Sequence, residues 1–475
     1  MYRWFMELTK TNFIHYLNCP KSLWVYKRDS NQYPDGDFTD FMKKLAREGY
    51  EVERYVKTYF AENDAVDFQR TFKSSEGLFA RADGFEIQAD GQAYLYEVKS
   101  STSIKRSGGY NQIKDACFQA IVAERSGQKI DKIILIYLNG EYIKEGDIDP
   151  DGLLAFEDVT EEVRLLYAET EAEIDQALEL LSETDIDRSG CGCIYQSKNH
   201  HCDTFKYFNP NVPLYSIYNL PRLSEKKRRE LIANGLFALD DIPVAYELSD
   251  TQSGVLIAAH AGEPQIDKSA IDTMLSGYQF PLYFFDYETF ASAVPIVDGA
   301  SPHKQFPVQY SLHILHADGK LEHREFLQDK PELPLNLVEQ MEVDFGSVGS
   351  VVSWHASFEK TQNREMGKWF PDKADFLNDI NDRMVDLEDI FKQAYVDVRF
   401  KGSTSIKKVL PVICPHIGYD KLDIQDGASA MDAWHKMIQS DGDEANARAK
   451  ALLSYCAMDT FAMVEIYRFL LSRFG

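Results

Sequence analysis

A predicted β-hairpin within residues 80–101, ARADGFEIQADGQAYLYEVKSS, constrains the fold of the first half of the chain most strongly. Its Asp-Gly pair at 90–91 is a tight-turn signal between two segments of alternating polarity, which predicts two antiparallel strands. A period of two residues places Glu97 and Lys99 on one face of the second strand. Because two carboxylates can hold a hard divalent cation beside a lysine, Asp83, Glu97 and Lys99 are predicted to form a metal-dependent hydrolytic site.

The register of this hairpin decides where Asp83 lies. A two-residue turn at 90–91 sets Asp83 opposite Val98, whereas a three-residue loop or a bulge near Gly84 sets it opposite Glu97. A surface Glu–Lys pair on an ordinary hairpin is the alternative interpretation of the same residues. Spacing alone leaves both registers and both interpretations open.

The composition is typical of a soluble globular protein with two or three domains. The chain has 475 residues, of which 44% are hydrophobic and 27% charged. No apolar run approaches transmembrane length, and the first ten residues, MYRWFMELTK, lack the core of a signal peptide. We therefore expect a cytoplasmic protein without a membrane partner.

The net charge of −25 argues against a protein that coats nucleic acid, but the charge is unevenly distributed. Residues 157–187 hold twelve acidic side chains and one basic one, which predicts a solvated acidic helical face. Residues 205–234 hold six basic side chains and two acidic ones. We predict a helical connector over residues 206–275, whose basic helix either contacts phosphates or is simply a solvated linker helix.

Seven cysteines in a cytoplasmic chain do not predict a disulfide framework. One early cysteine, Cys19, and three late ones suit a single metal centre if the ends of the domain meet. The late ones are Cys191, Cys193 and Cys202. Zinc is chemically possible, and His200 and His201 offer imidazole ligands nearby. The remaining cysteines are expected to be buried: Cys117, Cys414 and Cys456.

The second half opens with an apolar strand, PLYFFDYETF at 281–290, that carries Asp286 and Glu288 on one face. Burying a carboxylate costs several kcal/mol unless a partner offsets its charge. Two divalent metals would supply that partner. In a late helix, Tyr455 and Asp459 are four residues apart and share a face.

A strand-like segment, VVSWHASFE, lies between these two motifs and ends at Glu359. This acid directly follows an apolar strand, and its role depends on the family resemblance described below. Asp386 is the alternative acid if Glu359 is structural.

The first half resembles the PD-(D/E)xK nucleases of the RecB family through Asp83, the Glu-Val-Lys run at 97–99 and Gln119 in a helix predicted over 110–125. This resemblance implies that Asp83 and Glu97 bind Mg²⁺ or Mn²⁺, that Lys99 helps activate water, and that Gln119 positions the helix or the substrate. Two departures are the absence of the family's early histidine, with Glu53 nearby, and alanine where the glutamine motif has a tyrosine.

The Asn-Cys-Pro at 18–20 and the late cluster CGCIYQSKNHHC resemble the CRISPR-associated RecB-type exonucleases. In that family one early and three late cysteines hold a 4Fe–4S cluster. The resemblance therefore implies an iron–sulfur cluster on the four cysteines, with zinc as the alternative.

The Asp-x-Glu, Phe-acid and Tyr-x-x-x-Asp motifs resemble the DEDD exonucleases of the RNase H-like fold, and the tyrosine marks the DEDDy subtype. The resemblance implies that four carboxylates bind two metals and that Tyr455 orients the water for 3′–5′ hydrolysis. These carboxylates are Asp286, Glu288, Glu359 and Asp459. Glu359 departs from the aspartate that is usual in that superfamily.

As a whole the chain resembles a bacterial family of uncharacterised proteins that fuse the two nuclease modules. The expected fold class is α/β, with a restriction-endonuclease-like domain at 1–205, the connector at 206–275 and an RNase H-like exonuclease domain at 276–475. The expected function is metal-dependent hydrolysis of DNA, at single strands or ends, in repair or defence. The alternatives are a nucleic-acid-binding scaffold with one silent site and the same chemistry on RNA.

Overall fold

The computed structural model describes residues 7–34, 40–62, 65–108 and 111–474. These residues form two compact units, each of mixed α/β structure. The first comprises the described residues up to Asn211 together with Ser292–Lys304, and the second comprises Val212–Ala291 and the described residues from Gln305 onward. Residues 1–6, on which the expectation of a missing signal peptide partly rests, lie outside the described residues.

The first unit contains the following elements. Its helices are α1 (Lys10–Asn18), α2 (Pro20–Arg28), α3 (Asp40–Tyr59), α4 (Gln112–Arg125), α5 (Pro150–Leu153), α6 (Thr160–Ser182) and α7 (Phe205–Phe208). Its strands are β1 (Leu8–Thr9), β2 (Val66–Phe68), β3 (Thr71–Lys73), β4 (Leu78–Arg81), β5 (Gly84–Ile87), β6 (Ala93–Val98), β7 (Lys132–Leu138) and β8 (Leu154–Asp158).

A five-stranded sheet of order β2-β5-β6-β7-β8 forms the centre of the first unit, and a smaller sheet of order β1-β4-β3 lies in the same unit. Strands β6 and β7 are parallel, whereas the other neighbours in the large sheet are antiparallel. Helix α4 agrees with the helix predicted over 110–125, although residue 110 is outside the described residues. Its side chains are buried on nearly every face, because it packs into a core with α6 and β7.

The hairpin of β5 and β6 closes with a three-residue loop. Ile87 pairs with Ala93, and Gly91 adopts a positive φ of 88°, which closes the turn in the left-handed region. The last pair of the ladder is Gly84 with Tyr96, so the next position in register places Asp83 in line with Glu97. The two-residue turn is therefore wrong, and the alternative that brings Asp83 to Glu97 is confirmed.

The second unit contains the remaining elements. Its helices are α8 (Glu225–Ala233), α9 (Asp250–Ala261), α10 (Lys268–Ser276), α11 (Leu335–Asp344), α12 (Ser357–Trp369), α13 (Ala374–Arg383), α14 (Glu388–Gln393), α15 (Ile406–Ile413), α16 (Gly427–Ile438) and α17 (Gly442–Phe474). Its strands are β9 (Gln265–Ile266), β10 (Leu282–Phe290), β11 (Phe306–Leu315), β12 (Leu321–Leu327), β13 (Val351–Ser353), β14 (Met384–Asp386) and β15 (Tyr395–Val396).

The main sheet of the second unit has the order β12-β11-β10-β13-β14. The first three strands form an antiparallel meander, and β13 and β14 run parallel to β10. Phe285 and Tyr287 enter a core with residues of α11, α12 and α13, while α17 also packs against β10 and β11. In the part of the chain that the structure describes, no helix is both long enough and apolar enough to cross a bilayer.

The predicted connector is not a unit of its own, because residues from Val212 onward belong to the second unit. Leu231 of α8 and Leu256 of α9 are fully buried in one cluster. Two of the basic side chains of α8 make contacts within the unit. Arg228 is buried and donates to the Leu223 carbonyl at 2.7 Å, and Arg229 pairs with a glutamate one helical turn away.

Candidate active sites and a cysteine cluster

The first candidate site lies at the open end of the β5–β6 hairpin, where α4 crosses the sheet. Asp83 precedes β5 and accepts a hydrogen bond from the Val98 amide at 2.8 Å. The Lys99 ammonium donates to Glu97 Oε1 at 2.9 Å, and the Gln119 amide donates to Glu97 Oε2. Glu97 is only 1% exposed. The structure thus brings together all the residues that the sequence predicts for this site.

Two residues of the first site were missed by sequence reasoning. Lys10, the first residue of α1, donates to Glu97 Oε1 at 2.5 Å across a separation of 87 positions. Asp115 of α4 accepts a hydrogen bond from Lys99 at 2.6 Å. Asp115 could have been noticed, because it lies four residues before Gln119 on an otherwise apolar helix face. Nothing in the local sequence indicates the contact of Lys10.

The carboxylates of the first site differ in their electrostatics. Burial, together with the charge of Glu97, raises the pKa of Asp83 to about 7, although Lys10 and the Val98 amide oppose the shift. Burial also disfavours the charged form of Glu97, but Lys10 and Lys99 outweigh it and lower the pKa of Glu97 to about 2. Asp83 is therefore the carboxylate whose charge changes near neutral pH, and Glu97 stays ionised.

Glu53 of α3 also acts on this site. Its charge is one of the contributions that raise the pKa of Asp83, and its carboxylate accepts a hydrogen bond from Gln69 at 3.2 Å. The acid that the sequence offers near the missing histidine therefore lies within electrostatic reach of Asp83.

The second candidate site is formed by β10 and α17. Ligand oxygens of Asp286, Glu288 and Asp459 all lie within 4.8 Å of one another. The alternation of β10 sends Phe285 and Tyr287 into the apolar core and leaves the two carboxylates on the opposite face. Because α17 packs on β10, the helix brings Asp459 to the strand from more than 170 positions away.

Tyr455 lies one helical turn before Asp459 and is buried, with 3% of its surface exposed. Two further residues, both missed by sequence reasoning, complete this environment. Tyr419 donates its hydroxyl proton to Asp459 Oδ1 at 2.5 Å. The Lys407 ammonium donates to the Tyr455 hydroxyl at 2.9 Å and lies over the Tyr455 ring, 5.0 Å from its centroid. Lys407 lies in α15 and Tyr419 in the segment between α15 and α16.

The prediction that Glu359 directly follows the strand is wrong. Three residues separate β13 from α12, and Glu359 lies in the first turn of that helix. It is 2% exposed, and among the described residues its Oε2 atom has no hydrogen-bond partner. It is outside the group of three carboxylates, although its charge contributes to the raised pKa of Asp286. The alternative acid, Asp386, instead accepts hydrogen bonds from the backbone amides of His355 and Glu388, both at 3.0 Å.

The second site concentrates negative charge in a buried position. Burial, reinforced by the charge of Asp459, raises the pKa of Asp286 and of Glu288 well above the usual carboxylate range. Burial raises the pKa of Asp459 to about 6, against the hydrogen bond from Tyr419. Among the described residues, no lysine, arginine or histidine forms an ion pair with these three carboxylates. A cation bound there would offset the repulsion.

The four predicted cysteines come together in the first unit. The sulfur atoms of Cys19, Cys191, Cys193 and Cys202 all lie within 4.8 Å of one another. Cys19 ends α1 and begins α2, so the cluster ties these helices to the segment after α6. The remaining cysteines at 117, 414 and 456 are buried, as predicted.

Four thiolates are a donor set for zinc and for iron–sulfur clusters alike. In a tetrahedral zinc site with metal–sulfur distances of about 2.3 Å, neighbouring sulfurs are about 3.8 Å apart. Cys191 Sγ and Cys202 Sγ are 3.8 Å apart. A 4Fe–4S cluster is wider than a single ion and would require these sulfurs to move apart. His201 stacks on Phe205 with ring centroids 3.5 Å apart and is not a member of the sulfur group.

Comparison with known proteins gives no named activity. The profile of a family described as a domain of unknown function, DUF2779, matches residues 283–405. Uncharacterized protein MG366 of Mycoplasma genitalium is 29% identical over 209 residues, covering 39% of this chain and 31% of the relative. Its homolog in Mycoplasma pneumoniae is 29% identical over 218 residues, covering 39% of this chain and 32% of the relative.

The chain therefore spans about a third of the length of these curated relatives. Among solved structures, the crystal structure of SSO0001 is similar at 15% identity with a TM-score of 0.23. That match covers 37% of this chain and 78% of the other.

Proposed function

We propose that this chain is a metal-dependent nuclease with two active sites that hydrolyses phosphodiester bonds of DNA, at single strands or ends, in the cytoplasm. The observation that carries the proposal is the group of Asp286, Glu288 and Asp459, whose ligand oxygens lie within 4.8 Å of one another on a buried strand and helix. Such a group is costly without cations, because burial and the charge of Asp459 both raise the pKa of Asp286 and of Glu288. Carboxylate oxygens are the ligands that Mg²⁺ and Mn²⁺ prefer.

The topology of the second unit supports an RNase H-like, DEDDy exonuclease. An antiparallel meander followed by two strands parallel to the first is the arrangement expected from the resemblance. The metal ions would supply Lewis-acid activation of the phosphate and of the attacking water. The Lys407 ammonium donates to the Tyr455 oxygen, which leaves the phenolic proton free to be donated to a water at the site. Glu359 is proposed as the fourth carboxylate.

The first unit supports a PD-(D/E)xK nuclease site. Asp83 and Glu97 are proposed to hold one divalent cation. Lys99, which is 7% exposed and held by Asp115, is proposed to orient the attacking water. Gln119 fixes Glu97 from α4. The four cysteines are proposed to bind a metal centre that joins the two ends of this unit.

One specific observation favours the alternative in which the first site is silent. Both oxygens of Glu97 already accept hydrogen bonds from protein donors, namely Lys10, Lys99 and Gln119. A scaffold whose first site binds nucleic acid without cutting it would show nuclease activity from the second site alone.

The proposal is tested with end-labelled single-stranded and double-stranded DNA and RNA incubated with Mn²⁺. Lys99→Ala and Asp459→Ala are compared with the wild type, and Lys132→Ala and Asp318→Ala serve as controls for the loss of one charge in each unit. We expect each site variant to remove one cleavage pattern and the controls to remove none. A wild-type protein that cleaves none of the substrates would refute the proposal, and cleavage of RNA alone would change its substrate.

A further inference from the structure

The two sites differ in how far the protein itself balances their charge. The first site sets two ammonium groups, from Lys10 and Lys99, against its three carboxylates, and these groups make direct contacts. In the second site the charge of Lys407 acts on the three carboxylates only through space. Lys407 contacts two tyrosines and the Gln425 carbonyl but, among the described residues, pairs with no carboxylate of that site. A divalent cation therefore gains more electrostatic energy at the second site than at the first.

The two lysines of the first site are held differently. The Lys99 side chain is 8% exposed and is clamped between Glu97 and Asp115. The Lys10 side chain is 30% exposed, and its ion-pair contact at the site is with Glu97. Lys10 is therefore the less enclosed of the two lysine side chains and has fewer contacts with the carboxylates of the site.

The backbone fixes where Lys10 starts. Leu8 and Thr9 form β1, which pairs with β4, and the Thr9 side chain caps α1 by accepting a hydrogen bond from the Asn12 amide. Lys10 is the next residue, and it approaches the face of Glu97 that Lys99 shares, on the same Oε1 atom. The strand and the cap thus place the Lys10 ammonium group against Glu97, the carboxylate that a metal ion would bind.

We propose that Lys10 is a displaceable counter-cation that competes with the divalent metal for Glu97, so that the second site takes Mn²⁺ at lower concentrations than the first. This inference deepens the proposed function and rests on it. Binding of the metal to the first site then requires Lys10 to leave Glu97. The first site becomes active only at metal concentrations at which the second site is already filled.

The experiment measures Mn²⁺ binding rather than cleavage, by equilibrium titration with electron paramagnetic resonance of free Mn²⁺. Thiolates are poor ligands for Mn²⁺, so the cysteine cluster does not interfere. We expect two classes of Mn²⁺ site. The tight class is the second site and should be lost in Asp459→Asn, and the weak class is the first site and should be lost in Asp83→Asn. Lys10→Met should lower the dissociation constant of Mn²⁺ at the weak class of sites by ~10-fold or more, because one positive charge beside the metal is lost.

Controls separate this role from a structural one. Lys10→Arg keeps the charge and should keep the weak affinity, and Lys132→Met removes a lysine elsewhere in the first unit and should change neither class. Lys10→Gln replaces Lys10→Met if the latter does not fold. A weak class that is unchanged or weakened in Lys10→Met or Lys10→Gln would overturn the inference. If the two classes behave as expected but no nucleic acid is cleaved, the proposed function fails while the assignment of Lys10 stands.

Discussion

Replacing Glu359 by glutamine should stabilise the protein in divalent-free buffer and, in the same variant, abolish hydrolysis at 3′ ends. Burial raises the pKa of Glu359 from 4.5 to about 8, and among the described residues its Oε2 atom has no hydrogen-bond partner. When folding raises the pKa of an acid, the protein loses stability as the pH rises. The loss begins near the pKa of that acid in the unfolded chain and is complete near its pKa in the folded protein. The loss therefore develops between pH 4.5 and about pH 8.

The size of the effect follows from the shift. Ionisation of Glu359 stabilises the unfolded chain relative to the folded protein. At about 1.4 kcal/mol per pKa unit, it lowers the free energy of unfolding by on the order of 3 kcal/mol at pH 7. The cost reaches on the order of 5 kcal/mol above pH 8. Glutamine does not ionise, so the free energy of unfolding of Glu359→Gln should exceed that of the wild type by these amounts, with little difference at pH 4.

The assay is urea unfolding at pH 5, 7 and 8.5, followed by tryptophan fluorescence, because Trp354, Trp369 and Trp434 all lie in the second unit. Glu342→Gln is the matched control, since Glu342 is an exposed acid paired with Lys373 at 2.7 Å. Added Mn²⁺ should raise the stability of the wild type at pH 8.5 more than that of Glu359→Gln. If the free energy of unfolding has the same pH dependence in the wild type and in Glu359→Gln, the pKa of Glu359 is not raised by folding and its assignment as a metal ligand fails.

Five further outcomes are expected. Asp459→Asn should eliminate 3′-end hydrolysis, measured on labelled single strands, while DNA binding in a gel-shift assay persists. Tyr419→Phe removes a hydrogen bond to a carboxylate worth ~1.5–3 kcal/mol and should move the acid limb of the pH–rate profile to higher pH, because that hydrogen bond lowers the pKa of Asp459. Lys99→Ala should remove only the cleavage that survives in Asp459→Asn. Protein purified without oxygen should absorb at about 400 nm if the cysteines hold iron, whereas a colourless protein with one equivalent of zinc would assign a single ion. In either case Cys19→Ser should speed proteolysis of α1 and α2, because the centre's binding energy stabilises them.

The strongest sequence predictions concern motifs whose chemistry is local. The alternation around Asp286 and Glu288 determines that both carboxylates share one strand face, and the spacing of Tyr455 and Asp459 determines that both share one helix face. The hairpin was likewise readable from its Asp-Gly pair, although its register was open. One residue more or fewer in the loop changes the partner of Asp83, and only the strand register of the folded chain, in which Ile87 pairs with Ala93, decides this.

The domain division illustrates the limit of composition. Residues 206–275 are basic and punctuated by turn signals, which favours a separate connector. In the structure, Val396 and Val398 pack against the cluster that contains Leu231 and Leu256, so this segment belongs to the second unit. The charges of Arg228 and Arg229 are used inside that unit, which a count of basic residues cannot show.

By itself, then, the sequence determined which residues are candidates for a functional site, because carboxylates, lysines and cysteines at these spacings have few uses in a buried setting. Only the tertiary structure decided which groups surround them. Lys10 meets Glu97, and Tyr419 meets Asp459, across 87 and 40 positions respectively, through packing of whole helices and loops. No local period encodes such contacts, since they depend on how strands pair and on which helix face the core buries. These long-range partners set the charge of each candidate site, and any binding of a metal there would depend on that charge.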